Sequence, residues 1–151
     1  LVSMDVLTSE LVEQLSTLDD IDIDANDDSE NNLSEGPWVL VASSFGLGKR
    51  VPVTQFRLQK RAGMGLKAIK FRIKNDVLVG LKVLGKGEEI LLVTEKGVIV
   101  RTNADKISQQ SRAATGVKLQ KLDEGDHLAE VVLVPREQIE DENIEQIKNN
   151  Q

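Results

Sequence analysis

Basic side chains recur in this chain at a constant spacing. The stretches 39–71 and 90–122 align without a gap at an offset of 51 residues, and four of the identical pairs are basic. Ammonium and guanidinium groups form charge-assisted hydrogen bonds with phosphate oxygens, so a repeated set of them favours a phosphate-rich polymer as ligand. The four pairs are Arg50 and Arg101, Arg61 and Arg112, Lys67 and Lys118, and Lys70 and Lys121.

The net charge of −6 conceals a separation of charges along the chain. Residues 1–37 contain eleven Asp or Glu and no Lys or Arg, and residues 137–151 contain five acids and one Lys. Between them, residues 38–136 hold 18 basic and 9 acidic side chains, and residues 38–75 hold nine bases and no acid. A basic region flanked by acidic segments favours binding to a polyanion. The alternative is a charged surface that serves only solubility.

Side chains that could carry catalysis are few. The chain has no Cys and no Tyr, and His127 is its only histidine. Because His127 aligns with Val77 in a predicted strand, we interpret it as a packing residue and not as a base or a metal ligand. The glycines are not followed by the Gly-Lys-Ser/Thr of a phosphate-binding loop, and the acidic runs lack the spacing of a calcium loop. The sequence therefore predicts a noncatalytic chain without a metal or a cofactor of its own.

Short strands must position these bases. A repeat of about 50 residues built from Val, Leu and Ile predicts an all-β fold, a β-pinwheel or propeller-like array of four-stranded blades. Gly46 and Gly97 stand where the first two strands of each repeat reverse, and residues 74–76 and 124–126 are predicted turns. The predicted strands lie near 38–43, 48–53, 66–72 and 77–84 in the first repeat, and near 89–94, 98–102, 117–122 and 127–134 in the second.

The alignment also divides the chain into five parts. The last strand of each repeat, at 78–84 and 128–134, matches residues 1–7, so we expect a fragment with two full blades and one remnant strand. The parts are residues 1–7, the last strand of a preceding blade; 8–37, an acidic insertion predicted to be partly disordered; 38–88, the penultimate blade; 89–136, the final blade; and 137–151, an acidic C-terminal tail.

The repeated bases predict binding to double-stranded DNA. Equivalent charges on successive blades form a curved track that can follow the phosphates of a duplex and bend it. Three Phe and one Trp are too few to stack single-stranded bases, and Trp38 and Phe56 are assigned to the core, so we expect contacts to the backbone. The candidate DNA-binding residues are Lys49, Arg50, Arg57, Lys60, Arg61, Lys67, Lys70, Arg72, Arg101, Arg112, Lys118 and Lys121.

Both repeats resemble a known family, the C-terminal domain of DNA gyrase A. The resemblance rests on GKRVPVTQFRLQKRAGMGLKAIK at 48–70 and on ILLVTEKGVIVRTNADKISQQSRAATGVKLQKL at 90–122. It implies a β-pinwheel that wraps duplex DNA around its rim in a positive sense and so supports negative supercoiling. It also implies a heterotetramer of gyrase A with an ATPase subunit, in which ATP and Mg²⁺ are used outside this chain. The implied location is the bacterial cytoplasm, at the nucleoid, or an organelle.

The chain departs from this family at two places, which leaves alternatives open. The family's wrapping motif reads Gln-Arg-Arg-Gly-Gly-Lys-Gly, whereas QKRAGMG at 59–65 is a degenerate counterpart typical of a later blade. The insertion at 8–37 is either a passive loop or a competitor of DNA for the basic rim. The related subunit of topoisomerase IV has a similar array without the motif, so DNA binding without wrapping is one alternative. A propeller that binds an acidic protein is the other.

No membrane partner is expected. No stretch of the sequence approaches the roughly 20 consecutive apolar residues of a spanning helix.

Overall fold

The chain forms two antiparallel β-sheets in a computed structural model that describes residues 3–7, 9, 36–56, 59 and 61–134. The all-β prediction is confirmed. Two short 3₁₀ turns, Val53–Gln55 and Ala104–Lys106, follow the second strand of each repeat. The strands are β1 (Trp38–Ser43), β2 (Leu47–Pro52), β3 (Leu78–Leu84), β4 (Glu89–Thr94), β5 (Ile99–Asn103), β6 (Val117–Lys118) and β7 (Leu128–Leu133).

Each repeat begins with a hairpin whose turn contains the predicted glycine. Val41 lies opposite Lys49 in the first hairpin, β1–β2, and Leu92 lies opposite Val100 in the second, β4–β5. Gly46 and Gly97 have φ of +73° and +84°, a region that L-residues avoid because their Cβ approaches the backbone. The identity of these two glycines across the repeats therefore follows from the turn that both hairpins need.

A strand of the second repeat completes the first sheet. The strand order is β3-β1-β2-β6 in the first sheet and β5-β4-β7 in the second. In the β2–β6 pairing, Leu47 lies opposite Lys118 and Gly48 lies opposite Val117. The first blade is four-stranded as predicted, but the expectation that one repeat supplies all four strands is wrong. The segment before β6 lies along β2 and so places β6 at the β2 edge of the first sheet.

The same exchange explains why the predicted strand at 66–72 is not a strand in the structure. At the 51-residue offset, residues 66–67 correspond to β6 and would pair with the β2-like edge of an earlier repeat, which the described residues do not contain. The backbone N–H of Lys70 instead donates to the carbonyl of Ala114 at 3.1 Å. The predicted strand at 117–122 is shortened to β6, and one further bond in the same register follows it, from the N–H of Leu119 to the carbonyl of Gly46 at 2.8 Å.

The core that joins the two sheets is aliphatic. Its fully buried members include Leu40 and Leu84 of the first sheet and Leu92 and Leu128 of the second, in one continuous cluster. A smaller cluster of five residues, which includes Val41 and Val51, lies within the first repeat. Burying such side chains contributes roughly 1.5–3 kcal/mol each, so the shared cluster holds the two sheets together.

A buried carboxylate braces the hairpin turn in each repeat. Asp76 accepts hydrogen bonds from the hydroxyls of Ser43 and Ser44, at 2.8 and 2.9 Å, and from the N–H of Phe45. Asp126, at the equivalent turn, accepts from the N–H groups of Lys96 and His127.

Hydrogen bonding outweighs burial in setting the pKa of Asp126. Desolvation acts to raise its pKa, but bonds from Thr94, Lys96 and His127 and the Lys96 charge together hold it below the ordinary value. The predicted turns at 74–76 and 124–126 thus have a second function, which is to present an acceptor to the neighbouring hairpin.

Residues 3–7 lie beside β3. The Ser3 hydroxyl donates to the carbonyl of Leu81 at 3.0 Å, and the N–H of Val83 donates to the Asp5 carboxylate at 2.8 Å. The assignment of residues 1–7 to a preceding blade stays a prediction. Most of the insertion at 8–37, and the tail at 137–151, lie outside the described residues.

The two equivalent glycines Gly65 and Gly116 offer a matched test of the strand exchange. Both have positive φ, +75° and +92°, but a Cβ on Gly116 would lie 2.7 Å from the Gly48 carbonyl oxygen, whereas Gly65 has no atom within 4 Å of that position. We expect Gly65→Ala to lower the free energy of unfolding by about 1 kcal/mol and Gly116→Ala by about 2–4 kcal/mol, measured by urea titration. Equal losses would contradict the close approach of β6 to β2.

Candidate nucleic-acid interface

The segment 105–118 of the second repeat follows β2 closely. The N–H of Arg50 donates to the carbonyl of Ser108 at 3.0 Å, and the N–H of Gln110 donates to the carbonyl of Arg50 at 2.9 Å. Together with the β2–β6 pairing, these bonds fix the long loop of the second repeat on the first sheet. The side chains of two basic residues then hold this loop from opposite faces of β2.

Lys49 lies on one face of β2, with no exposed surface. Its ammonium donates to the carbonyls of Ser111, Arg112 and Ala114 at 2.6, 2.8 and 2.7 Å. Burial, and then the positive charge of Arg112, lower the pKa of Lys49 from 10.5 to about 8. All three donors of the ammonium are used, so Lys49 cannot reach a phosphate without breaking these bonds.

Arg50 lies on the other face of β2. Its Nε donates to the carbonyl of Ile107 at 2.9 Å, and its two terminal nitrogens donate to the carboxylate and the carbonyl of Asp105, both at 3.0 Å. The guanidinium also stacks on Trp38, 4.6 Å from the ring centroid. We therefore leave Lys49 and Arg50 out of the candidate interface, since their cationic groups are occupied within the protein.

Arg112 joins the long loops of the two repeats. Its Nη1 donates to the carbonyl of Lys67 at 3.2 Å, its N–H donates to the side chain of Gln55, and its guanidinium lies 6.0 Å from the Phe56 ring centroid. Phe56, assigned to the core, packs against the smaller cluster and also supports this arginine. The half-exposed Arg112 keeps part of its surface open to a ligand while it holds the two loops together.

Five basic residues form a positive surface at the β6 edge of the first sheet. The 67–70 segment lies against the 112–114 segment through the Arg112 and Lys70 bonds, and β6 follows directly. Residues 53–75 and 106–122 contain no acid, which leaves this surface positive. We name it the basic rim; its members are Lys67, Lys70, Lys118 and Lys121, all exposed, and Arg112, which is half-exposed.

The remaining predicted residues lie in different settings. Arg61 and Arg72 are exposed on the loop that carries Lys67. Arg101 is on β5 of the second sheet, where its Nε donates to Glu89 at 2.5 Å. Arg57 and Lys60 lie outside the described residues.

The sequence contained a signal for the internal role of Lys49. Successive residues of a strand point to opposite faces, so two adjacent bases on β2 could not both face solvent on one side. Lys49 also lacks a basic counterpart, since the equivalent residue of the second repeat is Val100. The role of Arg50 had no such signal, because its identity with Arg101 looked like a repeated phosphate contact.

The exposed ammonium groups of the basic rim are suited to binding anions. Lysine ammonium groups at exposed positions bind phosphates as point charges, without discriminating between bases. His127 packs edge-to-face on Phe45 of the first repeat, with centroids 5.1 Å apart, and its Nδ1 lies 3.3 Å from the Glu95 carboxylate. Within the described ranges, no three potential metal ligands are close enough to share an ion. Those ranges also contain no helix long and apolar enough to cross a membrane.

The fold is similar to two solved C-terminal domains of topoisomerases. The structure of a DNA gyrase A C-terminal domain matches with a TM-score of 0.61 and 31% identity, over 68% of this chain and 35% of that chain. The C-terminal domain of DNA topoisomerase IV matches with a TM-score of 0.60 over 70% of this chain and 32% of that chain. At 23% identity, this second likeness shows the fold alone. The fold and its basic edge thus define a propeller-like domain of the type II topoisomerase class.

The particular family follows from sequence comparison. The model of the DNA gyrase C-terminal domain, a β-propeller family, matches residues 37–84 and 88–135, and the chain belongs to this family. The DNA gyrase A protein of Synechocystis is 47% identical over 141 residues, and that of Staphylococcus epidermidis is 39% identical over 99 residues. These matches cover 89% and 66% of this chain but only 16% and 11% of the relatives.

Replacing Lys49 tests its internal role. We expect Lys49→Met to lower the free energy of unfolding by about 3 kcal/mol, because three buried carbonyls lose their charged donor. The exposed Lys70→Met is the control and should change stability by less than about 0.5 kcal/mol. Urea titration measures both, and similar effects of the two substitutions would contradict the placement of Lys49.

A comparison of wild type with Lys49→Met at several pH values tests the lowered pKa of Lys49. Because its folded pKa of about 8 is below its ordinary value of 10.5, the unfolded chain binds more protons between these pH values. Rising pH in this window therefore stabilises the folded state through Lys49, by at most about 3 kcal/mol. The stability difference between wild type and Lys49→Met should widen from pH 8 to pH 10, and a constant difference would contradict the shift.

Proposed function

We propose that this chain binds double-stranded DNA without catalysis, and that it wraps the duplex as part of a DNA gyrase A protein. The observation that carries the proposal is the basic rim, in which equivalent lysines of two successive repeats lie exposed at one sheet edge. Lys67 and Lys118 are one such pair, and Lys70 and Lys121 are the other. Cations repeated from blade to blade match the repeated phosphates of a duplex.

Duplex DNA fits the rim better than a single strand does. Single-strand binders stack bases on aromatic rings, whereas Trp38 is buried beneath Arg50 and Phe56 lies beneath Arg112. Lysines directed at phosphates carry little sequence information, so we expect weak preference among DNA sequences. A curved array of such contacts favours a bent duplex, because the free energy of the contacts offsets the cost of bending.

The role in the parent enzyme rests on the family. The chain spans about a sixth of the length of its Synechocystis relative. We propose that catalysis is carried out by other parts of the complex. We propose a heterotetramer of gyrase A with the ATPase subunit, in the bacterial cytoplasm, in which ATP and Mg²⁺ act outside this chain. Wrapping would present a duplex segment for strand passage and so support negative supercoiling. The gyrase A relatives favour this role over that of a topoisomerase IV protein.

The salt dependence of DNA binding tests the rim directly. The logarithm of affinity should fall linearly with the logarithm of salt concentration, with a slope that counts the phosphates contacted. We expect the double substitution Lys67→Gln and Lys118→Gln to reduce the magnitude of this slope by about 1.8, since each contact contributes about 0.9. Fluorescence anisotropy with a labelled duplex at several salt concentrations measures the slope.

The opposite edge of the first sheet supplies a matched control. Lys82 lies on β3, and Lys86 follows it, so Lys82→Gln with Lys86→Gln removes the same charge far from β6 along the strand order. This control should change the slope by less than about 0.5. Equal slopes for the two double variants would refute the rim as the binding surface. Salt-insensitive binding by the wild type would refute the proposed function itself.

A further inference from the structure

We propose that Lys49 and Arg50 are positioning residues that fix the angle between neighbouring blades and so set the curvature of the bound DNA. The inference rests on the proposed function. The inference assigns to two buried basic residues an effect on DNA that requires no contact between these residues and DNA. Their contacts, and the residues carried by the segment they hold, lead to this role.

The side chains of Lys49 and Arg50 bond one segment of the second repeat, residues 105–118, from opposite faces of β2. Lys49 donates to the carbonyls of Ser111, Arg112 and Ala114 on one face of β2. Arg50 donates to Asp105 and Ile107 on the other. The backbone bonds of Arg50 to Ser108 and Gln110 lie between them. Rotation of the second repeat about β2 would stretch one set of bonds or the other, so the pair resists rotation in both directions. We call these contacts the β2 clamp.

Asp105 extends the β2 clamp to the connection between the repeats. One of its carboxylate oxygens accepts from Arg50, and the other accepts from the N–H of Gly87 at 2.9 Å. Gly87 lies between β3 and β4, where the chain passes from the first sheet to the second. The clamp therefore ties together both places at which the repeats are joined, the connection and the long loop.

The clamped segment carries the DNA contacts of the second repeat and orients those of the first. Arg112 is part of it, and Lys118 follows four residues after the last carbonyl that Lys49 bonds. Arg112 in turn bonds the carbonyl of Lys67 in the loop of the first repeat. Basic residues of both repeats are thus attached to one rigid segment. The β2 clamp fixes the distances between them in the free protein, before DNA binds.

A fixed separation between the basic residues of the two repeats affects the shape of the bound DNA, because a straight duplex resists bending. A rigid array holds its phosphate contacts along a curve, and the contacts then offset the cost of the bend. An array in which the angle between blades is less tightly fixed would keep its charges and would follow a straighter duplex with the same number of contacts. Loss of the clamp should therefore reduce wrapping and leave the salt dependence of binding unchanged.

The experiment compares two clamp variants with wild type in gyrase that is assembled from a full-length gyrase A protein carrying this sequence. Lys49→Met removes the ammonium that bonds the three carbonyls. Arg50→Lys keeps the charge but removes the planar guanidinium that bonds Asp105 and Ile107. Ligation of nicked circles at saturating protein measures the writhe trapped per bound molecule, and anisotropy measures the salt slope. We expect each variant to trap at most about half the wild-type writhe, with a slope within about 0.5 of wild type.

The rim variant with Lys67→Gln and Lys118→Gln is the contrasting control. The magnitude of its salt slope should fall. At a protein concentration that saturates the DNA, it should trap more writhe per bound molecule than either clamp variant. Wild-type writhe in both clamp variants would refute the inference, as would writhe and slope that fall in proportion. Arg50→Lys decides the question if Lys49→Met does not fold. A wild type that neither binds DNA nor traps writhe would refute the proposed function, which distinguishes that failure from failure of the clamp alone.

Discussion

One buried ammonium group organises the contact between the two repeats. Lys49 donates to three carbonyls of the following repeat, which an ammonium can do because it supplies three donors from a single point. The loop that it holds carries Arg112, leads into β6 and completes the first sheet. The position of the basic rim thus depends on a lysine that does not belong to it. In a repeat protein each unit contacts mainly its neighbour, so this polar contact adds to the aliphatic cluster that the two sheets share.

The repeated basic residues have two kinds of role, and a sequence alignment alone does not distinguish them. Arg50 is identical to Arg101, yet its guanidinium is occupied by Asp105, Ile107 and the Trp38 ring. Lys67 and Lys118 are also identical to each other, and both are exposed. Arg112 belongs to both groups, since it joins two loops and keeps part of its surface open. Repetition of charge therefore reflects the contact between blades as well as the exposed basic rim.

The sequence predicted the local features of the fold and missed the non-local ones. The hairpins at Gly46 and Gly97 and the all-β class follow from turn chemistry and from strands with a 51-residue repeat. The origin of β6 does not, because strand exchange is a contact between residues about 70 apart, such as Leu47 and Lys118. The predicted strand at 66–72 failed for the same reason, since a strand exists only where an edge is present to pair with it. Burial of Lys49 could have been suspected from strand alternation, whereas burial of Arg50 could not.

Site-specific cross-linking is the most direct test of the proposed placement of duplex DNA along the β6 edge of the first sheet. The chain contains no cysteine, so Lys70→Cys, Lys121→Cys and Lys82→Cys each place a photoactivatable group at one defined position. These variants would be irradiated with a duplex in low salt, and the cross-linked fraction would be measured on denaturing gels. We expect strong cross-linking from positions 70 and 121 and background levels from position 82 on β3. Equal cross-linking from all three positions, or cross-linking from position 82 alone, would contradict this placement.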